Sequence, residues 1–198
     1  GIDLLTRCPP EYAYRNIELL MQTRGQLFQD LFVLNCLDFK HKGFFVEFGA
    51  TDGKTLSNTW LLEKAFGWTG ILAEPARSWH SLLSQERSCS ISTDCVWKES
   101  GAQLRFTEAN VGEFSTLASF KDADMHAEKR QNGVSYEVPT ISLNHLLDRY
   151  NAPREIDYLS IDTEGSEYNI LGAFDFSRHT FGVITVEHNF TDQREKIR

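Results

Sequence analysis

The chain has 198 residues, enough for one sizeable α/β domain and tight for two. Its formal net charge of -8 argues against nucleic acid as a partner, because an acidic surface repels phosphate groups and no basic patch overrides the total. The sequence has no signal-peptide pattern and no apolar run of about 18 residues, so we expect a cytoplasmic protein without a membrane segment. The four cysteines show neither a C-x-x-C pair nor zinc-like spacing and are expected to be reduced thiols. Because the chain begins with Gly1 rather than Met, a preceding domain or targeting segment is left open.

Helical and strand patterns alternate along the chain. Residues 11–40 carry apolar side chains at three- and four-residue steps and are predicted to be helical, with Gly25 as a candidate break. Beyond them, short apolar runs indicate buried strands, and the longer segments between these runs indicate helices. We predict strands at 43–49, 70–75, 90–96, 104–108, 135–141, 156–162 and 182–187, and helices at 57–66, 78–85, 143–150, 166–171 and from 191 onward.

The middle of the chain departs from simple alternation. The fourth and fifth predicted strands are expected to form an added antiparallel pair. The polar stretch 110–132 between them is predicted to be a loop or a lid on the acceptor side. Its Phe114, Phe120 and His126 either contact a sugar or anchor the loop in the core.

The overall pattern predicts an α/β fold with a doubly wound, mostly parallel sheet. In such sheets the ligand lies beyond the carboxyl ends of the strands. Four of the predicted strands end in an acidic residue: Glu47, Glu74, Asp162 and Glu187. We therefore expect all four carboxylates to face one crevice.

The loop from Glu47 to Gly53 predicts the kind of ligand. Its glycine spacing, Gly49-x-x-x-Gly53, fits neither the dinucleotide template nor the phosphate-binding template. Two acids, Glu47 and Asp52, suit a positively charged ligand, and the amino group and sulfonium of S-adenosyl-L-methionine meet that requirement. Glu74 ends the next strand, where an acid accepts both ribose hydroxyls of an adenosine ligand, although NAD would use it in the same way.

The later strand ends are candidates for acceptor chemistry. Asp162, Glu187 and His188 are the candidate catalytic residues, because a carboxylate or an imidazole can take the proton of a hydroxyl acceptor. Asp162 and Glu187 are also candidate ligands for a divalent metal such as Mg²⁺, which prefers carboxylate oxygen. Glu167 is read as an acid that complements a helix N-terminus.

The residues resemble the FkbM family of methyltransferases from about Gly25 to Phe190. Two blocks in the right order carry most of this resemblance, and shorter matches precede and separate them. The matching segments are Gly25-Gln26, Asp30-Leu31-Phe32, 43–53, Ser57-Asn58-Thr59, Leu62-Glu63, 67–70, Ala73-Glu74-Pro75, 138–143, 160–167 and Leu171-Gly172.

The resemblance implies a Rossmann-like class I methyltransferase fold that uses S-adenosyl-L-methionine to methylate hydroxyls. The implied acceptor is a sugar, such as a deoxyhexose in a glycan or glycoconjugate, or else a polyketide-type natural product. The implied cofactor contacts are Glu47, Gly49, Ala50, Thr51, Asp52 and Gly53 at the methionine part, Glu74 and Pro75 at the ribose, Asp94 and Cys95 at the adenine, and Ser57 and Asn58 at the carboxylate or as helix caps.

The end of the chain departs from the family pattern. Class I methyltransferases continue after the fifth strand with a helix and a final hairpin, whereas this chain stops at Arg198, inside that helix. Either residues 1–198 are a single methyltransferase domain excised from a larger protein, or the sheet lacks the usual hairpin. A neighbouring glycosyltransferase domain or a second subunit would then complete the acceptor site. An NAD-dependent oxidoreductase and a non-catalytic cofactor-binding module stay open as rival functions.

Overall fold

The computed structural model of the chain describes residues 8–108, 116–117, 134–163 and 165–187. Its main sheet contains five parallel strands in the order β3-β2-β1-β8-β9. These strands are β1 (Phe44–Phe48), β2 (Thr69–Ala73), β3 (Ser90–Ser92), β8 (Glu155–Ile161) and β9 (Thr180–Val186). The described helices are α1 (Pro10–Leu19), α2 (Gln29–Cys36), α3 (Trp60–Phe66), α4 (His80–Glu86), α5 (Leu143–Arg149) and α6 (Glu167–Gly172). The prediction of an α/β fold with a mostly parallel sheet is confirmed.

Helices cover both faces of the main sheet. Side chains alternate along each strand, so each strand presents apolar residues to both faces. Val46 and Phe48 of β1 belong to one buried cluster, which also contains the apolar side chains of α5 and α6. Phe45, between them in sequence, belongs to a second cluster with side chains from α2, α3 and α4. The sheet is therefore doubly wound, and the strand order reverses between β1 and β8.

A second sheet forms from the middle of the chain, in the order β4-β7-β5-β6. Its strands are β4 (Cys95–Trp97), β5 (Gln103–Glu108), β6 (Thr116–Leu117) and β7 (Val134–Ser142). β5 and β7 pair in antiparallel register from Gln103 opposite Pro139 to Glu108 opposite Val134. This pairing confirms the added antiparallel pair that the alternating hydropathy predicts.

The single strand predicted at 90–96 is wrong, because two strands in different sheets replace it. β3 pairs with β2 only as far as Ser92, which lies opposite Ala73, the last residue of β2. The N–H of Glu74 still donates to the Ser92 carbonyl at 3.0 Å, but the next N–H on that side of the chain, that of Ala76, donates to the Glu74 carboxylate. β2 therefore offers β3 no further donor. The chain turns there, and β4 pairs in parallel with β7 instead.

The N-terminal helical segment divides into α1 and α2, with Gly25 in the break between them. Phe28, directly before α2, has a left-handed φ of 62°. The predicted lid at 110–132 lies outside the described residues except for Thr116–Leu117, and the helix predicted from residue 191 lies outside them entirely. Within the described part of the chain, no helix has the length and apolar character needed to cross a membrane.

The contact between β1 and β2 can be tested at Gly70. A methyl group at Gly70 would lie 2.3 Å from the Phe45 carbonyl oxygen and 2.4 Å from its ring. We expect Gly70→Ala to lower the free energy of unfolding by about 1–3 kcal/mol, because the strands must separate to admit the methyl group. Denaturant titration measures this change.

Gly172→Ala is the matched control for this substitution. Gly172 is the last residue of α6, and its methyl group would meet nothing within 4 Å. Alanine is favoured over glycine in a helix, so we expect stability to stay equal or rise by up to about 1 kcal/mol. Equal midpoints for both variants would contradict the close packing of β1 on β2.

Candidate active site at the carboxyl edge of the sheet

The glycine loop, residues 49–53, lies where three strands of the main sheet end. The backbone N–H of Gly49 donates to the Ala73 carbonyl of β2 at 3.1 Å. Gly49 has a φ of 74°, and a Cβ there would lie 2.0 Å from the Asp162 carbonyl oxygen. Only glycine fits at this position, both because of its backbone conformation and because of the close approach of β8.

The rest of the glycine loop is a closed turn. The N–H of Gly53 donates to the Ala50 carbonyl at 2.8 Å, and the Ala50 side chain is buried. One carboxylate oxygen of Asp52 accepts the backbone N–H groups of Lys54 and Thr55 at 2.8 and 2.7 Å, and the other accepts the Thr55 hydroxyl. Asp52 therefore stabilises the exit of the loop.

Glu74 directly follows β2 and is buried, with 4% of its surface exposed. Its two carboxylate oxygens accept the backbone N–H groups of Thr51 and Ala76, each at 2.8 Å. Burial raises the pKa of Glu74 to about 7, and the nearby Glu108 adds to this rise, while the two N–H groups oppose it.

The pKa of Glu74 makes stability depend on pH. The carboxyl titrates near 7 in the folded chain and near about 4.3 when exposed. Its contribution to stability is therefore present below about pH 4 and is lost as the pH rises through 7. At neutral pH a substantial part of the Glu74 population is protonated.

Glu47 lies inside β1, not at its end, and its side chain points toward the segment that precedes α3. The Ser57 hydroxyl donates to its carboxylate at 3.0 Å, the Asn58 backbone N–H at 2.7 Å and the Thr59 hydroxyl at 2.5 Å. Ser57 also accepts the backbone N–H of Trp60, the first residue of α3, at 3.2 Å. Both Glu47 oxygens are therefore occupied by the chain that leaves the glycine loop.

Asn58 connects this segment to the neighbouring strand. Its Nδ2 donates to the Ser160 hydroxyl of β8 at 3.0 Å. Its Oδ1 is buried and has no hydrogen-bond partner among the described residues. A buried carbonyl oxygen without a donor is costly. This one lies beside Gly25, where a Cβ would be 3.2 Å from it.

Arg87 is a site residue that sequence reasoning missed. Its side chain is fully buried, and its Nε donates to Glu63 at 2.8 Å. Although burial raises the pKa of Glu63, Arg87 and the Ser88 N–H lower it to about 2, so this carboxylate stays ionised. Nothing in the sequence marks Arg87, because a lone arginine after a helix is normally a surface residue.

Asp162 and Glu187 follow neighbouring strands, β8 and β9, and both side chains are half-buried. The backbone N–H of Glu187 donates to the Ile161 carbonyl at 2.9 Å, next to Asp162. The two acids therefore share the edge of the sheet that also carries the glycine loop. His188 lies outside the described residues. Within the described ranges, no three His, Cys, Asp or Glu side chains gather in a way that could hold a metal ion.

Glu167 shapes the loop that follows Asp162. It is 2% exposed, and its carboxylate accepts the N–H groups of Thr163 and Gly165 at 3.0 and 3.1 Å and the Thr163 hydroxyl at 3.0 Å. Through these contacts Glu167, in the first turn of α6, ties the end of β8 to the helix.

The residues expected at the adenine lie on two different elements. Asp94 is in the turn between β3 and β4 and forms an ion pair with Arg149 of α5. Cys95 begins β4 and is buried, and burial raises the pKa of its thiol to about 12. It packs in an apolar cluster with Ala76. The Pro75 carbonyl accepts the Tyr136 hydroxyl of β7 at 3.4 Å, so the second sheet contacts the turn after Glu74.

The five-stranded parallel sheet, with a glycine loop after β1 and an acid after β2, defines a Rossmann-like methyltransferase fold. Residues 47–197, about three quarters of the chain, match the Methyltransferase FkbM domain family, and the chain belongs to this family. The predicted family is therefore confirmed, and membership supports methyltransferase activity. Neither a curated protein nor a solved structure significantly matches the chain.

The contact between Gly49 and Asp162 can be tested by a pair of alanine substitutions. Gly49 and Gly101 have φ values of 74° and 84°, so alanine at either position is left-handed and costs roughly 1–2 kcal/mol. At Gly101 the methyl group would meet nothing within 4 Å, whereas at Gly49 it would overlap the Asp162 carbonyl.

We expect Gly49→Ala to destabilise the fold by about 1–3 kcal/mol more than Gly101→Ala does. Thermal or denaturant unfolding of both variants measures this difference. Equal losses would show that only the backbone conformation matters at Gly49, and they would contradict the close contact between Gly49 and the Asp162 carbonyl.

Proposed function

We propose that the protein is an S-adenosyl-L-methionine-dependent O-methyltransferase that methylates a hydroxyl of a sugar. The observation that carries this proposal is the junction of Glu74 with the glycine loop at the carboxyl edge of the sheet. This junction lies beside the point where the strand order reverses, which is the usual ligand position in such sheets.

The residues at this edge fit the cofactor. Glu74 would accept the two ribose hydroxyls with its remaining lone pairs, since each carboxylate oxygen accepts only one backbone N–H among the described contacts. Gly49 brings bare backbone close to Asp162. When bound, S-adenosyl-L-methionine supplies a methyl group activated by a positively charged sulfur. Carboxylates rather than basic side chains at this edge suit that charge.

We assign the other predicted cofactor residues to direct or indirect roles. Pro75 and Asp94 would border the adenine, and Cys95 would contribute an apolar, uncharged wall there. The carboxylate of Glu47 and the hydroxyl of Ser57 hydrogen-bond each other, so they would act indirectly by shaping the chain that leaves the loop. Thr51, Asp52 and Gly53 would likewise set the path of the glycine loop.

The acceptor hydroxyl must lose a proton as its oxygen takes the methyl group. We propose that Asp162 or Glu187 accepts this proton as the general base, since both follow neighbouring strands. His188 stays a predicted third candidate. Both acids would also orient the hydroxyl toward the cofactor, which is a large part of any displacement catalyst's effect. If Mg²⁺ held by these acids takes part, a chelator will abolish turnover, and undiminished turnover in chelator would remove the metal.

We propose that the whole chain acts as one domain in the cytoplasm. Leu31 and Leu34 of α2, outside the matched family region, are fully buried in the same cluster as Phe45 of β1 and Leu61 of α3.

A neighbouring glycosyltransferase domain or a second copy would complete the acceptor site. The sugar acceptor rests on the family resemblance, with a polyketide as the alternative. Transfer of labelled methyl onto a panel of glycans and small hydroxylated compounds tests it.

Cofactor affinity should depend on the ionisation of Glu74. The ribose hydroxyls donate to the ionised carboxylate, whose pKa is about 7 before binding. We therefore expect the dissociation constant for S-adenosyl-L-methionine to fall about tenfold from pH 6 to pH 8 and to level off above that. Calorimetric titration across this range measures it.

Glu74→Gln is the control, because an amide has no carboxyl proton to lose. We expect weaker binding that no longer changes with pH through this group. A pH dependence of the same size in Glu74→Gln would assign the titration to another residue and contradict the ribose role.

Asp162→Asn should separate chemistry from cofactor binding. Removal of a proton acceptor typically costs 10²–10⁴-fold in rate, so we expect turnover to fall by about that factor. Cofactor affinity should change little, because Asp162 is assigned to the acceptor. Asp175→Asn is the matched control, since the Asp175 carboxylate hydrogen-bonds only to Ser177, in its own turn, among the described contacts.

The same assay decides between the rival functions. Equal turnover in Asp162→Asn and wild type would remove Asp162 from the mechanism. Cofactor binding without methyl transfer to any acceptor would favour a non-catalytic binding module. Tight binding of NAD with no affinity for S-adenosyl-L-methionine would favour an oxidoreductase.

A further inference from the structure

We propose that Arg87 is a positioning residue for the cofactor: its buried guanidinium holds the Gly53 end of the glycine loop and directs the Thr59 hydroxyl at Glu47. The inference rests on the proposed function, because it assigns Arg87 a part in cofactor binding through the loop. Arg87 itself lies behind the loop and is not proposed to touch the cofactor.

Most of the Arg87 donors are used for the segment from Gly53 to Thr59 rather than for the ion pair with Glu63. Nη1 donates to the Gly53 carbonyl at 3.0 Å and to the Ser57 hydroxyl at 3.2 Å, and Nη2 donates to the Thr59 hydroxyl at 2.9 Å. Only Nε is used for Glu63. Because a buried guanidinium must place all of its donors, the ion pair with Glu63 is coupled to the segment from Gly53 to Thr59.

One of these contacts fixes the direction of a hydroxyl proton. A hydroxyl has one proton to donate and two lone pairs to accept with. The Thr59 oxygen accepts the guanidinium, so its own proton is left to donate to Glu47. The Ser57 oxygen also accepts the backbone N–H groups of Thr59 and Trp60, so its proton is directed to Glu47 without Arg87. Arg87 therefore acts on the Glu47 carboxylate mainly through Thr59, since its nearest direct approach is 3.8 Å.

The aliphatic part of Arg87 also sets the shape of the loop. Gly53 has a φ of 82°, and a Cβ there would lie 2.7 Å from Cγ of Arg87 and 2.6 Å from Cδ1 of Leu83. The loop therefore turns directly against the Arg87 side chain. Packing on the stem and hydrogen bonding at the head together hold Gly53 in one place.

The test compares three variants of the full chain. Arg87→Lys keeps the charge but loses the fork of donors that reaches Gly53, Ser57 and Thr59. The double variant Glu63→Gln with Arg87→Met removes both charges of the Glu63 pair together, so the Glu63 carboxylate is not left buried without its partner. The nearby Glu47 carboxylate keeps its donors from Ser57, Asn58 and Thr59. Arg178→Ala is the control, because it removes an arginine from an exposed ion pair with Asp148.

Three measurements are made on each folded variant: the dissociation constant for S-adenosyl-L-methionine, kcat and KM, and hydrogen exchange of the Gly53, Ser57 and Asn58 amides. We expect both Arg87 variants to raise the dissociation constant and the cofactor KM about tenfold, as for the loss of a charge-assisted hydrogen bond. At saturating cofactor, kcat should stay within about threefold, because the loop contributes uniform binding. Exchange of the three amides should accelerate, while Arg178→Ala should match wild type.

Several outcomes would overturn the proposal. Folded Arg87 variants with wild-type affinity and wild-type loop exchange would show that the residue serves stability alone. A loss confined to kcat, with KM unchanged, would have the same meaning, because it reports a smaller active fraction. If wild type itself does not bind S-adenosyl-L-methionine, the proposed function fails, and with it the role of Arg87 toward the cofactor. Hydrogen exchange then still decides whether Arg87 holds the glycine loop: faster exchange in Arg87→Lys shows that it does, and unchanged exchange shows that it does not.

Discussion

The site depends on one close approach of backbone to backbone, between Gly49 and the Asp162 carbonyl. A single added carbon at Gly49 would lie 2.0 Å from that oxygen, so the loop after β1 and the end of β8 are in direct contact. This contact spans the point where the strand order reverses, between β1 and β8. Because it permits no side chain, the glycine loop can also reach β2, where Thr51 donates to Glu74. Three strand ends are thereby brought to one small region.

Two of the buried glutamates near this region, Glu63 and Glu74, have pKa values shifted in opposite directions, and the difference lies in their partners. Glu63 has the guanidinium of Arg87 against it, which lowers its pKa to about 2. Glu74 is buried with only two backbone N–H donors, and its pKa rises to about 7. The first is a satisfied structural charge beneath the loop. The second is a carboxyl that gains from any further donor, as expected where a hydroxyl-bearing ligand binds.

Much of the fold follows from local pattern. The strands around Val46 and Ile71 are mostly apolar, as a strand buried on both faces requires. β8 is less uniform, because Asp157 and Ser160 interrupt its apolar residues. The antiparallel pairing of β5 with β7 follows from alternating hydropathy. The division of 90–96 could not be predicted from its residues, because it depends on where β2 stops offering partners and on the presence of β7 beside it.

The sequence by itself determined that acids follow the buried strands, that glycine is required after the first strand, and to which family the chain belongs. These features are local, and spacing along the chain reports them. The tertiary structure alone decided which acids lie at the edge. Glu47 turns to the segment before α3, whereas Glu74 and Asp162 stay at the carboxyl edge with the glycine loop. Only the tertiary structure places Arg87 under the glycine loop. Arg87 and Gly53 are 34 positions apart in the sequence, and no local pattern connects them.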